Sequence, residues 1–455
     1  MENSAPFLKY YPLLTRREFL LLSASGAAAL TLTGCATNPV SGKKMFTLLS
    51  EDGEIKIDNQ YAPHQISADY GAVQDSALNK YIARVGNELA AKSHRPNAPY
   101  SFRAVNASYV NGYAFPGGTI ALTRGMMVEL QDESELSAVL GHEIGHVCAR
   151  HAASSYTKGI IASAVVGASA MTVGILTDSN TYASVTAGLG SVTAGGFLAH
   201  YSRDNEREAD ALGMEYAARS GRNPQGTVGV MQILKKLQKE KPNVIERIFA
   251  THPMSEERYN NAVELLNSKY ASFKNLPTNK ERFMDETSTL RKKADVVRNL
   301  QKAEEAMAKN KLNDAESFLK EAMQKAPDDY GMLLTYAQFH LTKKEANKAE
   351  MLAEEAKNVY PGEPYALYLS GVAKIELKKY EDAYQSFVQY EKILAGNNEI
   401  TFYQGFAMEG AGKRQIAADC YMRYLQVETG TQHSQYAYRR LVEWGYIKST
   451  LRSSR

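Results

Sequence analysis

The residues with the strongest chemical signature are His142-Glu143-Ile144-Gly145-His146. On a helix, positions four apart share a face, so both imidazoles can grip one metal ion. Glu143 follows the first of them, where its carboxylate can serve as general base toward an attacking water. The apolar flanks Leu136, Val139, Leu140 and Val147 place this run on a buried helix, read here over Glu135 to His151 with Ser134 as its cap. A catalytic zinc site takes three protein ligands and keeps a fourth position open. His151 stands only five residues past His146, with Ala149 where a metzincin has glycine, so it is assigned a structural or supporting role.

A better third ligand lies in a second helix, Tyr201 to Asp210. Glu206 and Asp210 are four apart there and share a face. Glu206 suits the metal. Asp210 suits the far nitrogen of a ligand imidazole, fixing its tautomer. Glu208, two positions off, is expected to point elsewhere. Tyr201, Arg203 and His252 are candidates to steady the oxyanion of a tetrahedral intermediate. His252, in Thr251-His252-Pro253, either occupies the open metal position and holds the site latent, or merely precedes the helix at Ser255-Glu256-Glu257-Arg258-Tyr259.

The elements that must position these groups fall in two regions. Residues 71–270 mix helix and strand signals. Tyr70 to Ala91 reads as a helix, and Tyr100 to Val105 alternates as a strand. Asn111 to Leu122 reads as short strands around Pro116-Gly117-Gly118. An edge strand around 105–111 is expected to line the groove and to pair with an extended substrate. From about 295 to 447 no strand pattern remains. Ala315, Ala349, Ala383 and Ala417 recur at equal spacing, as do Pro327 and Pro361. Ala322 and Ala356 keep a second small position. Leu319, Phe387 and Tyr421 keep a large one, and Ala303, Ala337, Gly371 and Gly405 a small one. This predicts a tetratricopeptide-like array of about four helix pairs. The fold class expected is α+β: a mainly helical metalloprotease domain with a small sheet, then an all-α solenoid. Residues 271–294 form the junction and 35–70 an N-terminal tether.

Residues 1–34 read as an export signal. Arg16 and Arg17 precede the apolar run Phe19–Leu32, which is too short to span a bilayer. Thr15 to Leu20 resembles a twin-arginine signal, with ordinary Sec export the alternative. Leu32-Thr33-Gly34-Cys35 resembles a lipobox, making Cys35 the expected lipidation site and Ala36 a pointer to the outer membrane. The uncharged runs Ile160–Leu176 and Ala183–Ala199 are expected to form a hairpin over the active site or at the membrane surface.

HEIGHVCARH followed by SRDNEREADALG resembles the HtpX/CAAX-protease-like family of gluzincin zinc metallopeptidases. Asn111 to Gly118 is similar to that family's NAFALPGG-type segment, with Tyr113 a departure, and Cys35 to Gly42 resembles the start of its periplasmic lipoprotein members. With the repeats, the layout is similar to BepA-like proteases. The likeness spans nearly all of the mature chain, specifically at 105–146 and 201–213 and more loosely in the repeats. It implies one zinc per chain, with His142, His146 and Glu206 as ligands, Glu143 as base and Asp210 behind them. It also implies a Gram-negative periplasmic setting and unfolded or misassembled envelope proteins as clients. The outer-membrane assembly machinery is an expected partner through the repeats, and the membrane through the lipid anchor.

Composition fits that picture. The 455 residues are 44% apolar and 23% charged, enough to build packed cores. A net charge of +3 from 53 basic and 50 acidic side chains gives no reason to expect nucleic-acid binding. Three cysteines exclude a disulfide scaffold, and Cys148 and Cys420 are expected to be free buried thiols. A repeat scaffold or chaperone-like assembly factor with latent or lost protease activity is the alternative to a working endopeptidase.

Overall fold

The computed structural model describes residues 35–166, 201–240, 246–428 and 430–447. Residues 1–34, expected as an export signal, and most of the two apolar runs lie outside these. No helix among the described residues is long and apolar enough to cross a membrane. The architecture is α+β, a helical domain around a small sheet followed by an all-helical array.

The stretch expected as a tether is built into the domain. After a small hairpin of β1 (Cys35–Thr37) and β2 (Lys44–Phe46), α1 (Glu51–Ala68) starts at Ser50, whose hydroxyl accepts from the Gly53 amide. Its Glu54 is fully buried between Arg95 and Arg150. The next helix, α2 (Ser76–Ala90), begins later than expected, because the Asp75 carboxylate caps the amides of Ala77 and Leu78. Residues before it are occupied otherwise: Tyr70 and Gly71 have positive φ, and Val73 donates to the Ala104 carbonyl.

Three strands form the sheet: β3 (Ser101–Val105), β4 (Gly112–Ala114) and β5 (Thr119–Thr123). The order is β3-β5-β4, with β3 parallel and β4 antiparallel to β5. The edge strand beside the site is therefore β4, not residues 105–111. On its outer side β3 is closed off by Ala72 and Val73.

A short helix, α3 (Arg124–Glu129), leads to the central helix α4 (Glu133–Cys148). Asp132, not Ser134, caps α4 through the Glu135 amide; Ser134 lies inside the first turn and donates to Asp132 at 2.6 Å. Nearly every residue of α4 is buried, and Leu136, Leu140 and Ile144 are sealed in the core. Each such side chain contributes about 1.5–3 kcal/mol. The helix stops before the expected His151, because Arg150 takes φ 58°, and α5 (His151–Val166) starts anew. Both ends of α4 are clamped by ion pairs: Glu133 receives Tyr81, Arg222 and Arg282, and Arg150 holds Glu54. Helices α6 (Arg203–Arg219), α7 (Gln225–Glu240), α8 (Glu246–Thr251) and α9 (Glu256–Asn267) complete the domain.

A 3-10 turn and two short helices, α10 (Lys280–Glu286) and α11 (Ser288–Lys292), make the junction. Four helix pairs follow: α12 (Ala294–Ala308) with α13 (Leu312–Lys325), α14 (Tyr330–Thr342) with α15 (Ala346–Val359), α16 (Tyr365–Glu376) with α17 (Tyr380–Ile393), and α18 (Asn398–Gly410) with α19 (Arg414–Leu425). The last, α20 (Gln432–Glu443), covers the end. The periodic residues do what their sizes dictate. A Cβ on Gly371 would stand 2.6 Å from the Phe387 ring, and one on Gly405 2.8 Å from Tyr421. In the third and fourth pairs a large residue of the second helix thus fills the notch left by a small one on the first. Cys148 and Cys420 are buried free thiols.

The repeats are docked on the helical domain. Arg124, 2% exposed, places Nη1 2.8 and 2.9 Å from the two Asp329 oxygens. Ser67 and Tyr330 donate to Glu363, Tyr70 to Gln338 at 2.9 Å, and Ser108 to Glu304 at 2.7 Å. Removing one partner of a buried ion pair such as Arg124–Asp329 typically costs about 3–5 kcal/mol, so this junction is tightly specified.

Candidate metal centre

Two helices bring the site together because they approach closely. Gly141 and Gly145 on α4 face Gly213 and Ala209 on α6. A Cβ on Gly141 would lie 3.1 Å from the Gly213 Cα, and one on Gly145 3.1 Å from the Ala209 Cα. With no side chains between them, the backbones nearly touch. His142 and His146 then meet Glu206 and Asp210 across the seam.

His142, His146, Glu206 and His252 each offer one donor atom, all within 4.8 Å of one another. The Nε2 atoms of His142 and His146 are 3.0 Å apart. Glu206 Oε1 lies 3.3 Å from His146 Nε2 and 3.1 Å from His252 Nδ1, and His142 Nε2 lies 3.4 Å from His252 Nδ1. Ligands at ~2.0–2.1 Å from a tetrahedral zinc stand about 3.3 Å from each other, so this donor set fits zinc. Two imidazole nitrogens facing at 3.0 Å also need a cation or a proton between them.

Burial and charge set the ionisation of the cluster. Burial disfavours a charge on Glu206, but His252, His146 and His142 outweigh it and hold the carboxyl far below its ordinary range. Burial pushes the His146 pKa well down, leaving the neutral form that binds metal. Burial pushes Glu143 up despite His252 and His142 nearby, toward the range useful to a general base. Burial would lower His252, yet Glu206 and Glu143 raise it. His252 Nε2 is 3.8 Å from Glu143 Oε1.

Each α4 histidine has a partner behind it. His142 Nδ1 is 3.0 Å from Asp210 Oδ1. Arg258 donates to both Asp210 oxygens, at 2.7 and 2.8 Å. Burial opposes the Asp210 charge, but Arg258 overrides it and keeps the carboxylate low. Arg258 also stands 2.7 Å from Glu206 Oε2, without the alignment of a hydrogen bond. On the other side, His151 links His146 to Glu208, so Glu208 faces the site's supporting shell, not away from it. Tyr201 lies flat on the His146 ring, centroids 3.8 Å apart.

Arg203 is not brought to the cluster. It is the first residue of α6, one turn nearer solvent than Glu206, and its side chain is exposed. Sequence reasoning did not assign Arg258, Glu208 or the paired glycines to the site. The glycines alone left a signal, a Gly–x–x–x–Gly pattern across the zinc motif. Beside the cluster, an apolar recess is lined by Met126, Val139, Met231, Leu234, Ile248 and Met254.

The comparisons agree with this geometry. Residues 76–266 match Peptidase family M48, and residues 306–375 match a tetratricopeptide repeat family. The chain thus carries a peptidase M48 domain joined to tetratricopeptide repeats. It is 30% identical over 234 residues to a protein of Yersinia pestis named beta-barrel assembly-enhancing protease, covering 49% of this chain and 46% of that one. It is 27% identical over 224 residues to the protein of that name from Escherichia coli K12, covering 49% and 45%. It is 28% identical over 250 residues to metalloprotease YcaL of Escherichia coli K12, covering 52% and 93%. The chain spans about half the length of the beta-barrel assembly-enhancing proteases it matches, and nearly all of YcaL.

Proposed function

We propose that this chain is a zinc metalloendopeptidase acting on extended segments of cell-envelope proteins, with its repeats recruiting clients or assembly partners. The observation that carries the reading is the convergence of half-buried His142 with buried His146 and Glu206, and of buried Glu143 beside them.

His142, His146 and Glu206 hold the metal, and Asp210 fixes the tautomer of His142. When bound, zinc supplies Lewis-acid polarisation of the scissile carbonyl and lowers the pKa of water. Glu143 takes the proton of the attacking water and later delivers it to the leaving amine. His252, or Tyr201 from its place against His146, supplies a hydrogen bond to the developing oxyanion. The substrate backbone lies along β4, whose Gly112 abuts Glu143. The Asn111 side-chain carbonyl, just before β4 and buried without a partner among the described residues, accepts from a substrate amide. Strand pairing reads extension more than sequence and suits unfolded clients.

Relatives named for β-barrel assembly support envelope clients and an outer-membrane assembly partner. Residues 1–34 as an export signal and Cys35 as the lipidated residue place the protein in the periplasm on the outer membrane. Labelling with radioactive palmitate, lost in Cys35→Ala, tests the anchor; unlabelled wild-type protein refutes it.

One observation favours a latent state. His252 fills the fourth donor position, where a substrate carbonyl or water must enter. His252→Ala is expected to raise cleavage of an unfolded protein several-fold. Unchanged cleavage discards the latch and the oxyanion role together, and lower cleavage discards the latch and leaves His252 as an oxyanion donor.

A further inference from the structure

A cleft of about 570 Å³ separates the sheet of the peptidase domain from the loop between the second and third helix pairs. This is the size of small-ligand sites, ~300–1,000 Å³. Ser101 and Arg103 of β3 and Thr119 of β5 form its floor. Helix α1 is one wall, and Tyr360 and Glu363 belong to the other. It lies at the opposite end of β5 from the candidate metal centre: Thr119 pairs with Ser101 at the cleft, while Leu122 pairs with Gly112 beside Glu143.

The acids in the walls are already engaged by neighbouring donors. Asp58 accepts from the Thr119 amide at 2.9 Å and from its hydroxyl at 2.5 Å. Glu363 accepts from Ser67, from Tyr330 and from the Tyr365 amide. Arg103 differs. Among the described residues its one hydrogen bond goes to Ser101 Oγ at 3.0 Å, and no acid lies within ion-pair distance. Its Nε is buried with no partner. Of five guanidinium N–H groups, most remain unspent. Arg103 lines the cleft together with Tyr360 of the other wall. The lining also holds the apolar Ile66, Ile393 and Leu394, of which Ile393 is 45% exposed. At the rim the exposed Asn59 carboxamide offers a donor and an acceptor together, as a peptide bond requires.

We propose that this cleft binds the C-terminal end of a polypeptide. The α-carboxylate pairs with Arg103, the last side chain lies against Ile66 and Leu394, and the preceding peptide bond meets Asn59. A chain end is the ligand that joins one carboxylate directly to an apolar side chain and an amide. The choice of a polypeptide over another carboxylate rests on the peptidase reading; the site itself does not. Its role is to hold a client by its end while the edge strand, remote from it, receives an extended segment.

The test uses the full mature chain carrying Glu143→Gln, so that the probe is not consumed. Three fluorescein-labelled octapeptides are titrated by anisotropy: one ending in leucine as free acid, the same peptide as the amide, and the amide with an internal glutamate. The free acid is expected to bind at least ~10-fold tighter than either amide, the scale of a charge-assisted pair. Arg103→Gln is expected to erase that preference, and Arg103→Lys to keep part of it. Cleavage of a short peptide by the otherwise wild-type Arg103→Gln chain is expected to be unchanged, which separates this site from the metal centre. Equal binding of acid and amide, tight binding of the internal-glutamate amide, or a preference surviving in Arg103→Gln overturns the proposal. So does displacement by laurate but not by the unlabelled acid peptide. A chain that hydrolyses nothing, with His252 intact or replaced by alanine, yet shows the acid preference would refute the peptidase reading and leave this one standing.

Discussion

His151 presents Nδ1 to His146 Nδ1 at 2.9 Å and Nε2 to Glu208 at 3.1 Å. The second metal-facing histidine is thus oriented through another imidazole, whereas the first is oriented directly by a carboxylate. Losing an orienting partner typically weakens metal affinity by ~10–100-fold. His151→Ala should therefore raise the zinc dissociation constant by roughly tenfold or more, measured by competition with a chelator. Circular dichroism should show the fold retained. Unaltered affinity would make His151 a packing residue only.

The seam between α4 and α6 tolerates no added side chain. Gly145→Val inserts three carbons where one Cβ already meets Ala209 at 3.1 Å. Such overpacking typically costs about 1–3 kcal/mol. It should also separate His146 from Glu206, so urea unfolding and zinc content should fall together. Full zinc occupancy in a destabilised variant would show that the seam does not set the ligand geometry.

Acid–base linkage should appear at the domain junction. Burial raises the Glu363 carboxyl from its ordinary 4.5 to about 7, against the hydrogen bonds from Ser67 and Tyr330. Below about pH 4.5 it is protonated whether folded or not. Between there and about 7 the unfolded chain releases the proton and the folded chain keeps it, so stability falls as pH rises. The full shift corresponds to about 3 kcal/mol. Glu363→Gln should remove this slope in denaturant titrations from pH 5 to 7.5. An unchanged slope would assign it to other groups.

The helix pairs share a feature that residue types conceal. Asn310, Lys344, Lys378 and Gly412, equally spaced, all take left-handed φ, at 55°, 59°, 58° and 73°. Each follows the first helix of its pair. Lysine is strained there, glycine is not. Lys378→Gly should stabilise the protein by about 1 kcal/mol, seen as a higher urea midpoint at constant m-value. A lower midpoint would mean that the lysine side chain, exposed here, makes up for its backbone.

Much of this was legible because chemistry and size leave periodic marks. His142, His146, Glu206 and Asp210 sit at helical spacing, and the Gly371–Phe387 and Gly405–Tyr421 pairs follow from small and large residues recurring together. Local competition between caps escaped sequence reading. Asp132 prevailed over Ser134 because its carboxylate reaches the Glu135 amide, and Asp75 started α2 late. Tertiary partnerships escaped as well. Nothing near Arg258 in sequence points to Asp210, and nothing near Glu54 points to Arg150. Arg203 looked eligible by proximity in sequence and is exposed because it opens its helix.

In the proposed mechanism Glu143 performs hydrolysis beside zinc held by its neighbours. The direct measurement is zinc content together with casein cleavage, for the mature protein beside Glu143→Gln. The expected result is one zinc per chain in both, with cleavage in the wild type, or in His252→Ala if the wild type is latent, and none once Glu143 is replaced. Cleavage undiminished in Glu143→Gln, or a wild-type chain that binds no zinc, would contradict it.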